Sequence, residues 1–159
     1  MTLVHAKHIH QNITIPTRLT DLDYMRELIK PHNVENQTAL SPIKVLVVED
    51  TLICQKIALQ MLTKPAYFTE LAVTGEEALE KYQQGCDVIL LDLGLPDISG
   101  IDICRRIRQD IGDTTTPIIA YSTLSDSLRN ECFAVGFTEV LTKPCSFEQL
   151  HAVIQKLVS

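Results

Sequence analysis

Five times between Ile43 and Ser159 a short apolar run gives way to an amphipathic stretch. Strands of a parallel sheet are buried on both faces and need a crossover helix between neighbours, so this alternation predicts an α/β fold. Residues 44–48, 68–73, 86–91, 117–121 and 138–141 are read as the five strands. Helices are expected over 52–62, 76–84, around Ile101, Ile103, Cys104, Ile107 and Ile111, and over 124–135 and 147–158. Lys64-Pro65 should close the first helix, because the residue before a proline disfavours the αR region. Thr74 should cap the second, whose acidic first turn suits the helix dipole. Right-handed crossovers must place helices on both faces, which makes a doubly wound parallel sheet of order 2-1-3-4-5 the expected arrangement.

The first 42 residues read differently, and the chain divides into an extension with linker, 1–42, and a larger domain, 43–159. Weak alternation from Leu3 to Ile15 suggests a strand or hairpin, Thr20 is placed to cap a short helix over 21–30, and 31–42 is a polar linker. His5, His8 and His10 form a histidine cluster, but on one strand His8 and His10 share a face while His5 points away, so it is read as no metal site.

The net charge is −6, and since residues 1–42 carry equal numbers of basic and acidic side chains, all of it falls on 43–159. An acidic domain lacks the electrostatic footprint of nucleic-acid binding, and none is expected. No apolar run approaches the ~18 residues that a membrane span needs, and the N-terminus has no signal-peptide pattern, so the chain is read as cytoplasmic. The five cysteines are widely spaced with no C-x-x-C pair, which predicts reduced thiols rather than disulfides or zinc.

In an open α/β sheet the functional crevice lies beyond the carboxyl ends of the strands. Glu49 and Asp50 follow the first strand and Asp92 the third, and those strands are neighbours in the expected order. Carboxylates gathered there need a positive partner. Lys143 after the fifth strand is one candidate, and a hard divalent cation such as Mg²⁺, which favours oxygen ligands, is the other. Ser122 after the fourth strand adds a hydroxyl to the same rim. The set reads as a carboxylate nucleophile, a metal to neutralise phosphoryl oxygens, a lysine and a hydroxyl. Asp97, Asp102 and Asp126 are read as turn or helix caps, and Arg105, Arg106 and Arg108 as a solvated helix face. Ser122 has a second reading, as the cap of the fourth helix.

Over 43–159 the sequence resembles the receiver domains of two-component response regulators, which have a flavodoxin-like fold. The matching motifs are Val47-Val48-Glu49-Asp50, the run from Leu90-Leu91-Asp92 to Gly100, Pro117-Ile118-Ile119-Ala120-Tyr121-Ser122, and Leu141-Thr142-Lys143-Pro144. The resemblance implies that Asp92 accepts a phosphoryl group from a histidine kinase or histidine phosphotransfer protein. Mg²⁺ would be held by Asp50, Asp92 and the carbonyl of Gly94, with Glu49 acting through water. Lys143, Ser122 and the N–H of Thr123 would hold the phosphoryl group, and Lys143-Pro144 would be cis. A phosphorylated chain would switch partner binding through its fourth helix, fifth strand and last helix. That face or the N-terminal extension is where a homodimer would form.

Two positions depart from the family pattern. Val140 stands where a switch aromatic is usual, and Thr123 replaces a small residue. Leu124 and Gly94 flank the path of a hydrolytic water and offer it no polar group, which implies slow self-dephosphorylation. Two other functions fit parts of the pattern. An aspartyl-phosphate phosphatase would want a second acid where Gly94 stands, and a phosphate-independent interaction module would need none of the site groups. As part of a hybrid sensor kinase, the chain would follow an upstream domain that carries the kinase activity.

Overall fold

The computed structural model describes residues 41–159. The expected extension, with its histidines and its helix over 21–30, lies outside these residues except for Ser41 and Pro42. Within them, parallel strands β1 (Ile43–Val48), β2 (Tyr67–Ala72), β3 (Val88–Leu91), β4 (Ile118–Ser122) and β5 (Glu139–Thr142) form one sheet in the order β2-β1-β3-β4-β5. Helices α1 (Leu52–Met61), α2 (Gly75–Tyr82), α3 (Gly100–Arg105), α4 (Asp126–Val135) and α5 (Phe147–Val158) make the crossovers. This is the expected doubly wound, flavodoxin-like fold.

Alternate residues along each strand enter opposite cores, as the two-residue strand period requires. Val45, Val47, Leu90, Ile119 and Tyr121 meet Ala58 and Leu62 beside α1, and Leu150 and Ile154 of α5. Leu46, Val48, Leu91, Ala120 and Val140 face the other way, onto Ala78 of α2, Ile103 and Cys104 of α3, and Cys132 of α4. All five cysteines are free thiols.

Several element ends differ from expectation, each for a local reason. The β3 ladder opens at Val88 rather than at residue 86, because the Lys44 N–H is taken by the Asp87 carboxylate at 2.7 Å and is closed to a strand carbonyl. Helix α1 stops at Met61, before Lys64-Pro65 intervenes, with the Leu62 N–H on the Ala58 and Leu59 carbonyls. Thr74 caps α2 by accepting the Glu77 N–H at 3.2 Å. Helix α3 continues as a π-helical turn, Arg106–Asp110, in which the Ile111 N–H reaches back five residues to Arg106 O. Helix α4 starts at Asp126 rather than at residue 124, because Ser125 supplies the cap, accepting the Leu128 N–H. The cap reading of Ser122 is thereby corrected. Ser122 instead closes β4, paired in register with Thr142.

The expectation of a solvated arginine face holds for Arg105 and Arg106, which are exposed, and fails for Arg108. Its guanidinium donates to the carbonyls of Gly136 (3.0 Å), Asp113 (2.9 Å) and Thr116 (2.8 Å). A planar fork with several donors can join in this way two carbonyls of the α3–β4 connection to one at the end of α4. Gly136, which ends α4 in the left-handed conformation at φ 116°, presents its backbone to this arginine.

At Gly100 the chain passes so close to the end of β3 that an added Cβ would sit 2.3 Å from the Asp92 carbonyl oxygen and 2.8 Å from Leu93 Cα. Both neighbours are backbone and cannot step aside. Gly100→Ala is expected to cost about 1–3 kcal/mol of stability and to displace Asp92, measured by urea denaturation and by amide chemical shifts at residues 92–94.

Candidate functional site

The site is assembled at the carboxyl edge of the sheet by strand register. Val48 and Leu91 are partners in the ladder, so Glu49 and Asp92, the next residue of each strand, emerge side by side. The Asp92 N–H continues the ladder to Val48 O at 3.0 Å. Lys143 follows β5, two strands away from β3, a separation of about 10 Å, so it takes a long side chain to reach the acids. Its ammonium lies 2.5 Å from Glu49 Oε2 and 3.0 Å from Asp92 Oδ2.

Burial makes this pairing consequential. Glu49 is 2% exposed and Asp92 9%, while Asp50 stands open to solvent. The second oxygen of Glu49 accepts the Thr51 N–H at 3.1 Å, and Gln55 donates to the Glu49 carbonyl at 2.9 Å. Asp92 Oδ1 accepts the Leu93 N–H at 2.7 Å and the Gly94 N–H at 3.4 Å. Burial pushes the Asp92 carboxyl up, but the Lys143 ammonium, the Ser122 hydroxyl and the Gly94 N–H outweigh it and hold the group below its usual range. Burial alone would lower Lys143, and Glu49 and Asp92 together raise it instead.

The structure brings Glu49, Asp50, Asp92 and Lys143 together, with Ser122 half-buried at the end of β4, its carbonyl accepting the Lys143 N–H at 3.0 Å. Thr123 and Gly94 are exposed on the same rim. Carboxylate oxygens of Glu49, Asp50 and Asp92 lie within 4.8 Å of one another. Three carboxylates against one ammonium leave an excess of negative charge in an all-oxygen donor set, which fits a hard divalent cation. The Lys143-Pro144 peptide is cis, as the resemblance implied. Asp97 caps α2, its carboxylate accepting the Gly75 N–H at 2.8 Å and the Glu76 N–H at 3.0 Å.

Sequence reasoning missed Gln55 and Tyr121. Gln55 carries no signal beyond its place in an amphipathic helix, and Tyr121 none beyond an apolar strand and the motif that ends in Ser122. Beside the lysine, Cys54, Ile57, Tyr121, Thr123 and Pro144 line a cleft of about 300 Å³. A larger cleft of about 730 Å³ lies at the opposite end of the strands, against Pro42, Ile43, Asp87 and Pro117, far from the carboxylates.

Fold and site together define a doubly wound α/β domain with a carboxylate and lysine centre at the carboxyl edge of its sheet. Residues 45–155 match the family described as "Response regulator receiver domain", and the chain belongs to that family. It is 35% identical over 121 residues to the transcriptional regulatory protein TrcR of Mycobacterium tuberculosis, covering 74% of this chain and 46% of that protein. It is 34% identical over 128 residues to the aerobic respiration control sensor protein ArcB of Escherichia coli, covering 77% of this chain and 16% of that protein. The chain thus spans less than half the length of either relative. Among solved structures, the Vibrio cholerae chemotaxis protein CheY4 superposes with a TM-score of 0.67 at 32% identity, covering 73% of this chain and 98% of the other. The CheX-CheY-BeF3-Mg+2 complex of Borrelia burgdorferi gives 0.68 at 25% identity, covering 74% of this chain and 90% of that one. The protein is therefore a receiver domain of two-component systems. Among the described residues no helix is long and apolar enough to cross a membrane.

Because Lys143 is the cationic partner of a nearly fully buried Glu49, Lys143→Ala is expected to destabilise the metal-free protein by about 3–5 kcal/mol. Asp92→Asn removes one of the clustered negative charges but also a partner of Lys143, and, with Glu49 still paired to that lysine, should leave stability within about 1 kcal/mol of wild type. Added Mg²⁺ should stabilise the wild type and much less the Asp92→Asn variant, as urea denaturation with and without chelator would show.

Proposed function

We propose that the protein is a phosphoacceptor switch of a two-component phosphorelay, in which Asp92 takes a phosphoryl group from the histidine of a histidine kinase or histidine phosphotransfer protein. The observation that carries this reading is the Lys143 ammonium shared between Glu49 and Asp92, with three carboxylates converging at 4.8 Å or less. A nucleophile must be ionised to attack, and the groups around Asp92 keep it so. In the step, an Asp92 oxygen forms a bond to phosphorus, the phosphorus–nitrogen bond of the donor breaks, and the imidazole leaves with the electron pair.

Mg²⁺ held by Asp50, Asp92 and the Gly94 carbonyl, with Glu49 acting through water, would neutralise charge on the phosphoryl oxygens. The similar CheX-CheY-BeF3-Mg+2 complex of Borrelia burgdorferi supports the presence of Mg²⁺ in such a domain. Lys143 Nζ is placed to exchange its bond to Asp92 for one to the phosphoryl group without leaving Glu49. Ser122 and the Thr123 N–H complete the grip from the end of β4. Phosphorylation then biases a two-state equilibrium of the α4, β5 and α5 face, which selects the partner and is one candidate surface for a homodimer. The other is the extension, residues 1–42, which we take as separate from the domain of 43–159.

Gly94 leaves open space where a phosphatase would carry its second acid, so self-phosphorylation without turnover of a separate substrate is the better reading. Leu124 is an apolar side chain, half-buried against the core, and Gly94 has no side chain, so neither orients water toward the acyl phosphate. Kinase activity resides elsewhere, consistent with relatives that are a sensor protein and a hybrid kinase of Dictyostelium discoideum, the latter 32% identical with 5% of its length covered.

Intact mass after incubation with a small-molecule phosphodonor tests the reading. A single phosphoryl adduct is expected in the presence of Mg²⁺, absent with chelator and absent in Asp92→Asn, and persisting for minutes or longer. A folded wild type that gains no adduct would leave a phosphate-independent interaction module as the function. An adduct on Asp92→Asn would place the phosphoacceptor elsewhere.

A further inference from the structure

Tyr121 is 5% exposed and sits on β4 between the strand that carries Asp92 and the strand that leads to Lys143. Its side chain enters the α1 and α5 core, the face opposite to the one occupied by Val140. The Lys143 ammonium stands over the Tyr121 ring at 5.2 Å from its centroid, inside the range in which an aromatic face attracts a cation. Cys145, two residues beyond the lysine, packs against the same core; burial, reinforced by the Cys145 thiol, pushes the Tyr121 hydroxyl up to about 12. The phenol is therefore neutral and presents an uncharged ring to the lysine.

A lysine side chain loses much rotamer freedom when held in one pose, and this one must cross the whole width of β4 to reach its acids. The ring beneath it supplies a floor along that crossing. We propose that Tyr121 is a positioning residue for Lys143: its ring carries the lysine side chain across β4 toward Glu49 and Asp92. The proposal rests on Lys143 being the partner of the phosphoryl group. It assigns to β4 an aromatic role on the face opposite Val140.

Two measurements decide it. In the unligated protein, the ε-methylene protons of Lys143 should be shifted upfield by the ring current of Tyr121, should stay shifted in Tyr121→Phe and should return to ordinary values in Tyr121→Leu. Affinity for beryllofluoride in the presence of Mg²⁺, followed by calorimetry, should be near wild type in Tyr121→Phe and about fivefold weaker in Tyr121→Leu, the factor that a cation–π contact of ~1 kcal/mol represents. In a Lys143→Ala background the Leu substitution should add nothing. Tyr121→Met replaces the Leu variant if circular dichroism shows the latter unfolded. An equal loss in both backgrounds would make Tyr121 merely structural, and unshifted ε-methylene signals would remove the contact; either overturns the proposal alone. A wild type that binds no beryllofluoride would instead overturn the phosphoacceptor reading, and the proposal with it.

Discussion

The ammonium of Lys143 between two buried carboxylates is the interaction on which the rest of the structure depends. Parallel register brings Glu49 and Asp92 to adjacent strand ends, and an acid pair that is nearly out of water is tolerable only with a cation beside it. Each surrounding detail serves that cation or its partners. The Thr51 N–H and the Gln55 amide fix Glu49, the Leu93 and Gly94 N–H groups fix the other oxygen of Asp92, and the Ser122 carbonyl holds the backbone from which the lysine departs. Asp50, by contrast, is exposed.

The loop after β3 is held as tightly as the acids. Its glycine, Gly100, starts α3 against the Asp92 carbonyl with no room for a methyl group, and the Gly100 N–H bonds Leu93 O at 3.0 Å. Midway along, Asp97 caps α2 across a gap of about twenty residues in sequence, a use of a carboxylate at a helix N-terminus that suits the dipole. The loop that presents Asp92 is thereby joined to two helices on one side of the sheet.

Strand order and the meeting of Glu49, Asp50, Asp92 and Lys143 were legible in the sequence, because both follow from apolar period and from which residue ends each run. What was not legible depends on competition among chemically similar groups. Ser122 and Ser125 are both able to cap α4, and only the backbone path after β4 decides for Ser125. Arg108 shares a helix turn with Arg105, but its direction is inward, toward carbonyls of the following connection and of Gly136, 28 residues away in sequence. The π-helical turn after Arg105 inserts no sequence mark of its own. Tyr121 looked like any core residue, since its value lies in what passes over its ring rather than in its strand period.

The Arg108 clamp also divides α4 mechanically. At its C-terminal end the Gly136 carbonyl is tied to a guanidinium that also grips Asp113 and Thr116, so that end moves only if the α3–β4 connection moves with it. At its N-terminal end the helix rests on the exposed hydroxyls of Ser125 and Ser127, just beyond Thr123. A ten-residue helix is about 15 Å long, clamped by Arg108 at its C-terminal end and held at the other by the Ser125 cap and by Leu124 and Leu128 against the core. With its C-terminal end tied to the α3–β4 connection, the helix leaves its Ser125 end as the one that any tilt would carry furthest, and that is the end next to Ser122 and Thr123.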